Sequence, residues 1–491
     1  MVDILLAHSY FLGFDPKQLE KMRPYPPLAT LYAAEALRAA GHSVAVFDAM
    51  LSAGEHEFLD ALERHDPRIV VIAEDNFNFL SKMCLARMRE AALTMTAMAH
   101  GRGCAVAVGG SDVTDQPGPF LAAGAVAAMV GEYEHTVVEL AEALLGAAPG
   151  AAPALATVPG LVLPGSQGDL VRTERRPNER RPDTFGRPAR DLVDHEPYRR
   201  VWREHHGEFS LNMVSTRGCP FHCNWCAKPI WGQRYAMRSP SAVAEELADV
   251  KATIAPDHVW FADDIFGLRT SWLTEFADHV TRLGASIPFT IQSRCDLMSA
   301  EAVEALRRAG CRTVWLGAES GSQRILDAMD KGITVAQIRE ARERLRVAGI
   351  EAGFFIQFGY PGERWPDIAE TIELVRSTRP DAIGVSVSYP LPGTRFHRMV
   401  ADQLGVKTHW EDSGDLEMMF RGAYTSPFYR HLHHVLHLEL DLTADTARAD
   451  ELEPAWATLR ELERTCRNVR PTLIVKPEVR LPAPDLAEAF G

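Results

Sequence analysis

The stretch S-T-R-G-C-P-F-H-C-N-W-C-A-K, residues 215–228, places Cys219, Cys223 and Cys226 in the spacing C-x3-C-x2-C. The trio directly follows an apolar run, Leu211 to Ser215, that predicts a β-strand. Three thiolates can bind three irons of a cubane cluster and leave the fourth iron open to chelate a substrate. The spacing therefore predicts a four-iron four-sulfur (4Fe-4S) cluster with one open iron.

Two other interpretations of the trio stay open at this point. A structural zinc site needs four ligands, usually in paired C-x2-C knuckles, and the sequence has no second knuckle. A distant cysteine, which would be Cys295, Cys311 or Cys466, could complete a four-cysteine cluster. Because the N-terminus MVDILLAHSY has no basic segment before a long apolar run, we expect no signal peptide, no disulfide framework and a cytoplasmic location.

Composition limits the classes of partner. The 491 residues are too many for one compact core and predict two to four domains. A formal net charge of -14 repels phosphate backbones, so no nucleic-acid partner is expected. The longest uncharged stretch, residues 143–168, is broken by four prolines and predicts a linker, so no membrane association is expected either.

The order of apolar runs predicts an α/β protein with four parts. Residues 1–148 predict a doubly wound, Rossmann-like parallel sheet, and 149–205 predict a solvated, Pro- and Arg-rich linker. Residues 206–400 contain six strand–helix units and predict an open, partial (β/α)6 barrel of the TIM type, followed by a helical segment over 401–491. Thr334 with Gln337 predicts a capping box. The predicted strands are Val2–Ala7, Val44–Asp48, Ile69–Ala73, Cys104–Gly109, Val126–Val130, Leu211–Ser215, His258–Ala262, Phe289–Gln292, Thr313–Gly317, Gly353–Phe358 and Gly384–Ser388.

With Trp225 as the aromatic residue before its last cysteine, the trio resembles the motif of the radical S-adenosylmethionine (SAM) superfamily. F-A-D-D-I-F-G (261–267), Q-S-R-C-D (292–296), G-A-E-S-G-S (317–322), F-F-I-Q-F-G-Y-P-G-E (354–363) and S-Y-P-L-P-G-T (388–394) follow in the order of that family's strand ends. The resemblance implies that the open iron binds SAM, which yields a 5′-deoxyadenosyl radical. Asp263 and Asp264 would hold its ammonium or instead cap the next helix, and Glu319 would bind its ribose or amino group. The SAM-binding residues implied by the resemblance are Trp225, Asp263, Asp264, Arg294, Glu319, Gln357 and Tyr389.

The N-terminal part looks like the cobalamin-binding domain of the cobalamin-dependent branch of this superfamily. The segments that carry this resemblance are Y-P-P-L-A-T-L-Y-A-A-E-A-L (25–37), V-G-G-S (108–111) and V-G-E-Y-E (130–134). The cobalamin-binding residues implied are His8, Ser9, Tyr10, Pro26, Leu28, Glu74, Asn76, Asn78, Gly109, Gly110, Ser111, Gly131 and Glu132. The first loop, H-S-Y-F-L-G-F, lacks the D-x-H-x-x-G motif, so the lower axial position of cobalt stays open: empty, water, His8, or a side chain of residues 74–79. A structural role for His8, and a domain that binds nothing, are the alternatives.

The resemblance implies a C-methyltransferase acting on an unactivated carbon of a small molecule, as in antibiotic biosynthesis. One SAM would methylate cob(I)alamin; a second would give the radical that takes a substrate hydrogen, and the substrate radical would take methyl from methylcobalamin. The substrate could be carried on a protein, and the reductant would be a flavodoxin or ferredoxin. A cyclase of the anaerobic protoporphyrin ester type, a rearrangement enzyme, and a non-catalytic corrinoid or cluster carrier are alternatives. A methylthiotransferase is disfavoured because the N-terminal part has only Cys84 and Cys104.

The C-terminal segment leaves two questions open. The run Y-R-H-L-H-H-V-L-H-L-E-L, residues 429–440, predicts an amphipathic helix, with a metal-binding tract as the alternative. The segment is expected either to close the barrel mouth and contact substrate, or to pack over the barrel as a cap. Its candidate contact residues are Trp410, Met418, Met419, Phe420, Tyr424 and Tyr429.

Overall fold

The computed structural model describes residues 2–77, 86–148, 152–405, 415–442 and 448–473. The chain divides into two compact units. Unit 1 consists of Met1–Gly218 and Lys228–Asp263, and unit 2 of Cys219–Ala227 and Asp264–Gly491. The predicted boundaries at 148, 205 and 400 follow sequence composition and stay predictions, whereas these two units follow the packing of the chain.

The main sheet of unit 1 has seven strands in the order β2-β1-β3-β4-β5-β6-β7. Its first five strands run parallel. Strands β1 and β3 are buried along their whole length because helices cover both faces of such a sheet. The strands are β1 Ile4–Ala7, β2 Val44–Phe47, β3 Ile69–Ala73, β4 Ala105–Gly109, β5 Ala127–Met129, β6 Leu161–Pro164 and β7 Leu170–Arg172. The helices are α1 Pro16–Lys21, α2 Leu28–Ala39, α3 His56–His65, α4 Ala86–Gly101, α5 Ser111–Asp115, α6 Pro117–Ala122 and α7 Glu134–Leu145.

The segment 149–205 differs from the solvated linker expected. Its strand β6 pairs antiparallel with β5, and β7 pairs antiparallel with β6, so the segment extends the sheet. Phe185 and Ala189 lie in the hydrophobic core, and a helix α8, Glu196–His206, ends the segment. Proline at the end of β6 is compatible with a strand because Pro164 closes it rather than interrupting it. Because prolines and arginines are frequent in this segment, the short apolar runs that form β6 and β7 were not predicted as strands.

The rest of unit 1 contains the first barrel strands. Strands β8, Ser210–Met213, and β11, His258–Phe261, pair in parallel. Strands β9, Thr216–Gly218, and β10, Tyr235–Met237, form an antiparallel pair, and α9, Pro240–Thr253, lies between β10 and β11 in the chain. The chain therefore passes from unit 1 into the cysteine loop of unit 2 directly after Gly218, the last residue of β9.

Unit 2 contains four further parallel strands in the order β15-β14-β13-β12. They are β12 Phe289–Ser293, β13 Cys311–Glu319, β14 Glu351–Phe358 and β15 Ala382–Val387. The helices are α10 Thr270–Leu283, α11 Ala300–Ala309, α12 Gln323–Ala328, α13 Val335–Val347, α14 Trp365–Thr378, α15 Arg395–Val400, α16 Ser426–Asp441 and α17 Ala449–Thr465. The strand expected at each of these places is present.

Two local predictions are confirmed in unit 2. The capping box of Thr334 and Gln337 opens α13, and the His-rich run lies in α16. Leu432, Val435 and Leu436 are buried on that helix, as expected of an amphipathic helix. In the described part of the chain, no helix is long and apolar enough to cross a membrane.

Candidate functional site

The three motif cysteines lie on a short loop of unit 2, residues 219–227, with partly exposed side chains. The Cys226 amide donates a hydrogen bond to the Cys223 carbonyl over 3.2 Å, so the two last cysteines share a tight turn. Among the described residues, no three Cys, His, Asp or Glu side chains converge on a single ion position. A cubane does not need such convergence because each thiolate binds its own iron.

Asn224, between the second and third cysteines, anchors this loop to the rest of unit 2. Its side-chain amide donates to the Ala328 carbonyl (2.7 Å) and to Asp330 (3.0 Å). The Tyr360 hydroxyl donates to its Oδ1 over 2.8 Å. Its backbone amide donates to the Met329 carbonyl over 3.0 Å, so side chain and backbone bind the same turn. A buried amide with all these bonds made holds the loop in one position.

Two buried cations lie close to the cysteine loop. The Arg294 guanidinium lies 3.7 Å from the ring centroid of Phe221, and it donates to Asp296 (2.9 Å). Burial lowers the pKa of Arg294, but the Asp296 carboxylate outweighs burial, with Cys223 and Cys219 adding in the same direction, and the net pKa is raised. Lys331 behaves alike: burial lowers its pKa, while Glu319 and then Cys223 raise it above its usual value. These charges favour thiolates and other anions at the loop.

Glu319 ends β13 in an unusual backbone conformation. Its φ is +59°, and the register of β13 with β14 shifts between Gly317 and Glu319. A left-handed non-glycine residue at a strand end is strained, and such strain concentrates at binding sites. Lys331 holds the carboxylate, with Nζ 2.7 Å from Oε1. The sequence predicted Glu319 but missed Lys331, because D-K-G at 330–332 has no motif and only tertiary packing buries the lysine.

The other residues predicted to bind SAM lie in different surroundings. In unit 2, Trp225 Nε1 and Gln357 Oε1 are buried and have no hydrogen-bond partner within the described ranges. Tyr389 accepts a hydrogen bond from the Leu416 amide over 2.9 Å. Asp264 is exposed, and α10 begins after Arg269, so neither aspartate caps it as the alternative required.

Asp263 has a structural task within unit 1. Its carboxylate accepts hydrogen bonds from the backbone amides of Ser215 (2.8 Å) and Thr216 (3.0 Å), and from the Ser215 hydroxyl. These bonds connect Asp263, just after β11, to Ser215 and to Thr216, the first residue of β9. Its predicted role toward an ammonium stays a prediction, and this carboxylate already orders the backbone that enters the cluster loop.

The end of β1 in unit 1 carries His8, Ser9 and Tyr10, all buried. His8 Nε2 lies 2.9 Å from Asp48 Oδ1 and 3.0 Å from the Ala49 amide nitrogen. Its Nδ1 accepts from the Tyr10 amide over 3.3 Å. Both ring nitrogens are thus engaged inside the domain, which favours the structural role of His8 over ligation of cobalt. Tyr10 donates its hydroxyl to Asp15 over 2.9 Å.

The ends of β3 and β4 contain buried polar atoms without protein partners. Glu74 Oε2, Asn76 Oδ1 and Ser111 Oγ have no hydrogen-bond partner in the described part of the chain. Burial, and then the neighbouring Asp112, raise the pKa of Glu74 well above its usual value. Gly110 has φ +142°, and a Cβ there would overlap the Glu74 side chain, so only glycine fits. These three atoms can form hydrogen bonds with a bound ligand or with ordered water.

The remaining predicted cobalamin residues lie near these loops or outside the described residues. Gly109 ends β4, with ring carbons of Tyr133 3.2 Å from the place of a Cβ. The Pro26 carbonyl accepts from Asn212 Nδ2 over 2.8 Å, and the Leu28 amide donates to Asp75 over 3.2 Å. Asn78, a predicted cobalamin residue, lies outside the described residues. So does Trp410, a candidate contact residue of the C-terminal segment.

The loop after β5 contains Gly131 and a fully engaged Glu132. Gly131 has φ +83° and donates its amide to Thr114 over 3.1 Å. Glu132 Oε1 accepts from Arg217 (2.6 Å) and from Trp231 Nε1 (3.2 Å). The sequence predicted Glu132 as a cobalamin residue and missed both of these partners, which no local pattern marks as a pair.

Two family models match separate parts of the chain. The B12 binding domain model matches residues 23–141 and the Radical SAM superfamily model matches residues 213–375. An uncharacterized methyltransferase of Pyrococcus horikoshii is 28% identical over 394 residues, which cover 78% of this chain and 81% of the relative. The hopanoid C-3 methylase of Methylococcus capsulatus is 24% identical over 392 residues, covering 78% of this chain and 70% of the methylase.

A solved structure has the same fold over most of the chain. It is the radical SAM methyltransferase TsrM from Kitasatospora setae, with cobalamin and a 4Fe-4S cluster bound. The TM-score is 0.67 at 19% identity, over 82% of this chain and 75% of that one. The predicted fold class, a cobalamin-type α/β domain followed by a radical SAM domain and a helical C-terminal region, is confirmed.

Proposed function

Because the chain belongs to the radical SAM superfamily and carries a B12-binding domain, we propose that it transfers a methyl group to an unactivated carbon of a small molecule. Its cofactors are a 4Fe-4S cluster, SAM and cobalamin. Relatives named as methyltransferases support methyl transfer, and the relative named as a C-3 methylase supports carbon as the acceptor. We place the reaction in natural-product biosynthesis, such as that of an antibiotic.

The observation that carries the proposal is the charge arrangement around the cysteine loop of unit 2. Cys219, Cys223 and Cys226 would hold the cluster, while the buried Arg294 and Lys331 offset negative charge from thiolates and from a carboxylate. Bound at a reduced cluster, SAM supplies a 5′-deoxyadenosyl radical; bound cobalamin carries the methyl group. The chain's own residues bind, orient and exclude water around these groups.

Glu319 and Gln357 provide acceptors for the other polar groups of SAM. Glu319 Oε1 lies 2.7 Å from Lys331 Nζ, which positions the carboxylate of a residue in a left-handed backbone conformation. An ionised carboxylate accepts hydrogen bonds from an ammonium or from ribose hydroxyls. Gln357 Oε1 is buried without a partner in the described part of the chain, and it fits a donor on the cosubstrate.

An apolar cluster beside the loop supports exclusion of water. Trp225 and Tyr389 pack against a core that includes Tyr360, Phe396 and Phe420. A reactive carbon radical needs a site that keeps solvent and other hydrogen donors away. These aromatic side chains supply such a surface within unit 2.

Cobalamin fits the strand ends of unit 1 by the chemistry of the unpartnered atoms there. Corrin side chains are amides, which donate and accept hydrogen bonds. Glu74 Oε2, Asn76 Oδ1 and Ser111 Oγ provide acceptors and a hydroxyl donor in a buried setting. We propose that these three side chains contact cobalamin, with Gly110 allowing close approach of the backbone.

The first test is anaerobic reconstitution with iron, sulfide and hydroxocobalamin, followed by removal of free cofactor and metal analysis. We expect one cobalt and about four irons per chain. Full iron without cobalt would overturn the proposed methyl transfer and leave a radical enzyme with a different N-terminal role. Absence of iron in the wild-type protein would overturn the proposed cluster site.

The second test separates methyl transfer from the cyclase or rearrangement alternatives and from a carrier. The loaded enzyme is given deuteriomethyl SAM, a flavodoxin or ferredoxin reductant, and candidate small molecules, free or bound to a carrier protein. Methylation of carbon predicts S-adenosylhomocysteine and 5′-deoxyadenosine in equal amounts, with label in the product. Formation of 5′-deoxyadenosine without S-adenosylhomocysteine would favour cyclisation or rearrangement, and neither product would favour a carrier.

A further inference from the structure

One carboxylate of the B12-binding part of the chain contacts residues on both sides of the cluster loop. Arg217 precedes the first cysteine by two residues, and Trp231 follows the last cysteine by five. Glu132 Oε1 accepts from Arg217 Nη1 at 2.6 Å and from Trp231 Nε1 at 3.2 Å. All three residues belong to unit 1. Two residues that flank the cysteine loop in the sequence are therefore joined through a single buried oxygen.

Both oxygens of the Glu132 carboxylate accept hydrogen bonds within unit 1. Its Oε2 accepts from the Glu179 backbone amide over 2.6 Å, and its Oε1 accepts from Arg217 and Trp231. Glu132 and Arg217 are buried, with side-chain exposures of 5% and 3%. Such a fully satisfied buried network is rigid.

Aromatic packing strengthens the same arrangement. The Trp231 ring stacks on Phe77, with centroids 5.2 Å apart and planes at 23°. The Arg217 guanidinium lies 5.2 Å from the Phe77 ring centroid as well. Gly218, with φ +77°, lets Trp231 lie against the backbone, since a Cβ there would come within 2.9 Å of Trp231 Cβ. Phe77 directly follows the 74–76 loop of the B12-binding domain.

We propose that Glu132 is a positioning residue for the cluster: it joins Arg217 and Trp231, which flank the cysteine loop in the sequence, and so restrains the chain where it enters and leaves that loop. Closing a loop before the ligand binds lowers the entropy cost of binding. The contacts outside the ligands themselves commonly control metal retention. The inference rests on the proposed function in one respect, which is that the three cysteines hold the cluster.

The test compares Glu132→Gln with Glu134→Gln. Both remove one negative charge from Arg217, because Glu134 Oε1 lies 2.7 Å from Arg217 Nη1. Only the first breaks the arrangement at Trp231: a glutamine amide must direct its N–H groups toward either Arg217 and Trp231 or the Glu179 amide, and all of these are donors. Glu139→Gln, at a half-exposed carboxylate paired with Arg176, serves as a surface control.

The readouts are iron per chain after reconstitution, the rate of iron loss to a ferrous chelator, and the EPR spectrum of the reduced cluster with and without SAM. We expect Glu132→Gln to lose iron about tenfold faster or more, in line with the effect of outer contacts on metal retention. We also expect an altered EPR spectrum. Glu134→Gln and Glu139→Gln should behave like the wild type in both readouts.

A second variant keeps the inference testable if Glu132→Gln does not fold. Trp231→Phe removes the indole N–H together with part of the ring system and keeps an aromatic ring to stack on Phe77, so the variant should fold with a moderately lower thermal unfolding midpoint. We expect faster iron loss in this variant too. Wild-type iron retention and EPR spectra in folded Glu132→Gln and Trp231→Phe would overturn the inference.

Two further outcomes are distinguishable from these. Weaker hydroxocobalamin binding by Glu132→Gln, with unchanged iron retention, would return Glu132 to a direct cobalamin contact and overturn the positioning role. A wild-type protein that takes up no iron would overturn the proposed function itself. Failure of the inference and failure of the proposed function therefore give different results.

Discussion

The two units both present polar side chains at the carboxyl ends of parallel strands, but they satisfy those side chains differently. In unit 2, Lys331 and Arg294 bring positive charge to a loop of three cysteines. In unit 1, Glu74 lies buried beside Asp112, and Arg89 pairs with Asp112. The cation-rich edge suits anionic thiolates and a carboxylate, whereas the edge with unpartnered neutral groups suits the amides of a corrin. Parallel sheets of similar architecture can thus suit different cofactors because the charge and hydrogen bonding of the side chains at their strand ends differ.

The comparison predicts its largest effect for a cysteine of unit 2. Cys223→Ala removes one cluster ligand, so iron after reconstitution should fall from about four per chain to a small fraction of that. Cys295→Ala is the matched control. Burial raises the pKa of Cys295 to about 12, so this thiol is protonated at neutral pH and is a poor fourth ligand. Iron and sulfide analysis distinguishes the two; equal losses would return Cys295 to the ligand set.

Breaking the buried ion pair of unit 2 should have the next largest effect. Lys331→Met leaves the Glu319 carboxylate buried and unpaired, at 4% exposure, and should lower the free energy of unfolding by about 3–5 kcal/mol. SAM affinity, measured by equilibrium dialysis on the reconstituted protein, should fall with it.

The control for that variant is the double change Lys331→Met with Glu319→Gln. Because it removes the unpaired charge, much of the lost stability should return while SAM affinity stays low. A double variant as unstable as Lys331→Met would show that the pair does not act as a unit.

Asn224→Ala should have a smaller effect on stability and a clear one on the cluster. It removes the bonds of Asn224 to the Ala328 carbonyl and the Tyr360 hydroxyl, which stay hydrogen-bonded to each other over 3.0 Å, so the cost should be about 1 kcal/mol. Iron should be lost faster to a chelator because the loop is less restrained. Asn468→Ala is the control. It removes one hydrogen bond, from the Asn468 side-chain amide to the Gly422 carbonyl, at positions distant in sequence from the cysteine loop, and should leave iron loss unchanged. The same rate in both variants would remove Asn224 from the loop's support.

The pH dependence of the free energy of unfolding should report the raised pKa of Glu363 in unit 2. Burial raises the pKa of Glu363 to about 8, from 4.5 in an exposed carboxyl. Between these values the folded state holds a proton that the unfolded state has released, so stability falls as pH rises. Glu363→Gln should flatten that fall by up to about 1.4 kcal/mol per pH unit. Denaturant unfolding of the protein from pH 5 to 8 measures it; parallel pH profiles for variant and wild type would place the pKa of Glu363 near its usual value.

The smallest expected effect is in unit 1. Because Asp48, Ala49 and Tyr10 occupy both nitrogens of His8, His8→Gln should leave the EPR spectrum of bound cob(II)alamin unchanged. In the wild type, that spectrum should lack nitrogen splitting from an axial histidine. Nitrogen splitting that disappears in His8→Gln would establish His8 as the lower ligand and reverse the structural interpretation.

Sequence patterns predicted the strands well and the contacts poorly. The five strands of the first sheet and the strands of unit 2 appeared as apolar runs, since a buried parallel strand needs apolar residues on both faces. Strands β6 and β7 were not predicted because residues 149–205 are rich in Pro and Arg. Cys219, Cys223 and Cys226 were found by spacing, and Glu319 by its place in a strand-end motif. Lys331, Arg217 and Trp231 were missed, since their importance comes from partners distant in the chain.

By itself, the sequence indicated the order of most strands and helices and the cysteine trio, because these depend on periodic burial and on local spacing. Only the tertiary structure decided how the charges pair: Lys331 with Glu319, and Arg217 with Glu132 and Glu134. The same structure shows that Glu132, predicted to contact cobalamin, joins Arg217 and Trp231. A buried charge is tolerated only beside its counter-charge. Chain folding creates that neighbourhood from distant residues, so no local stretch of sequence contains it.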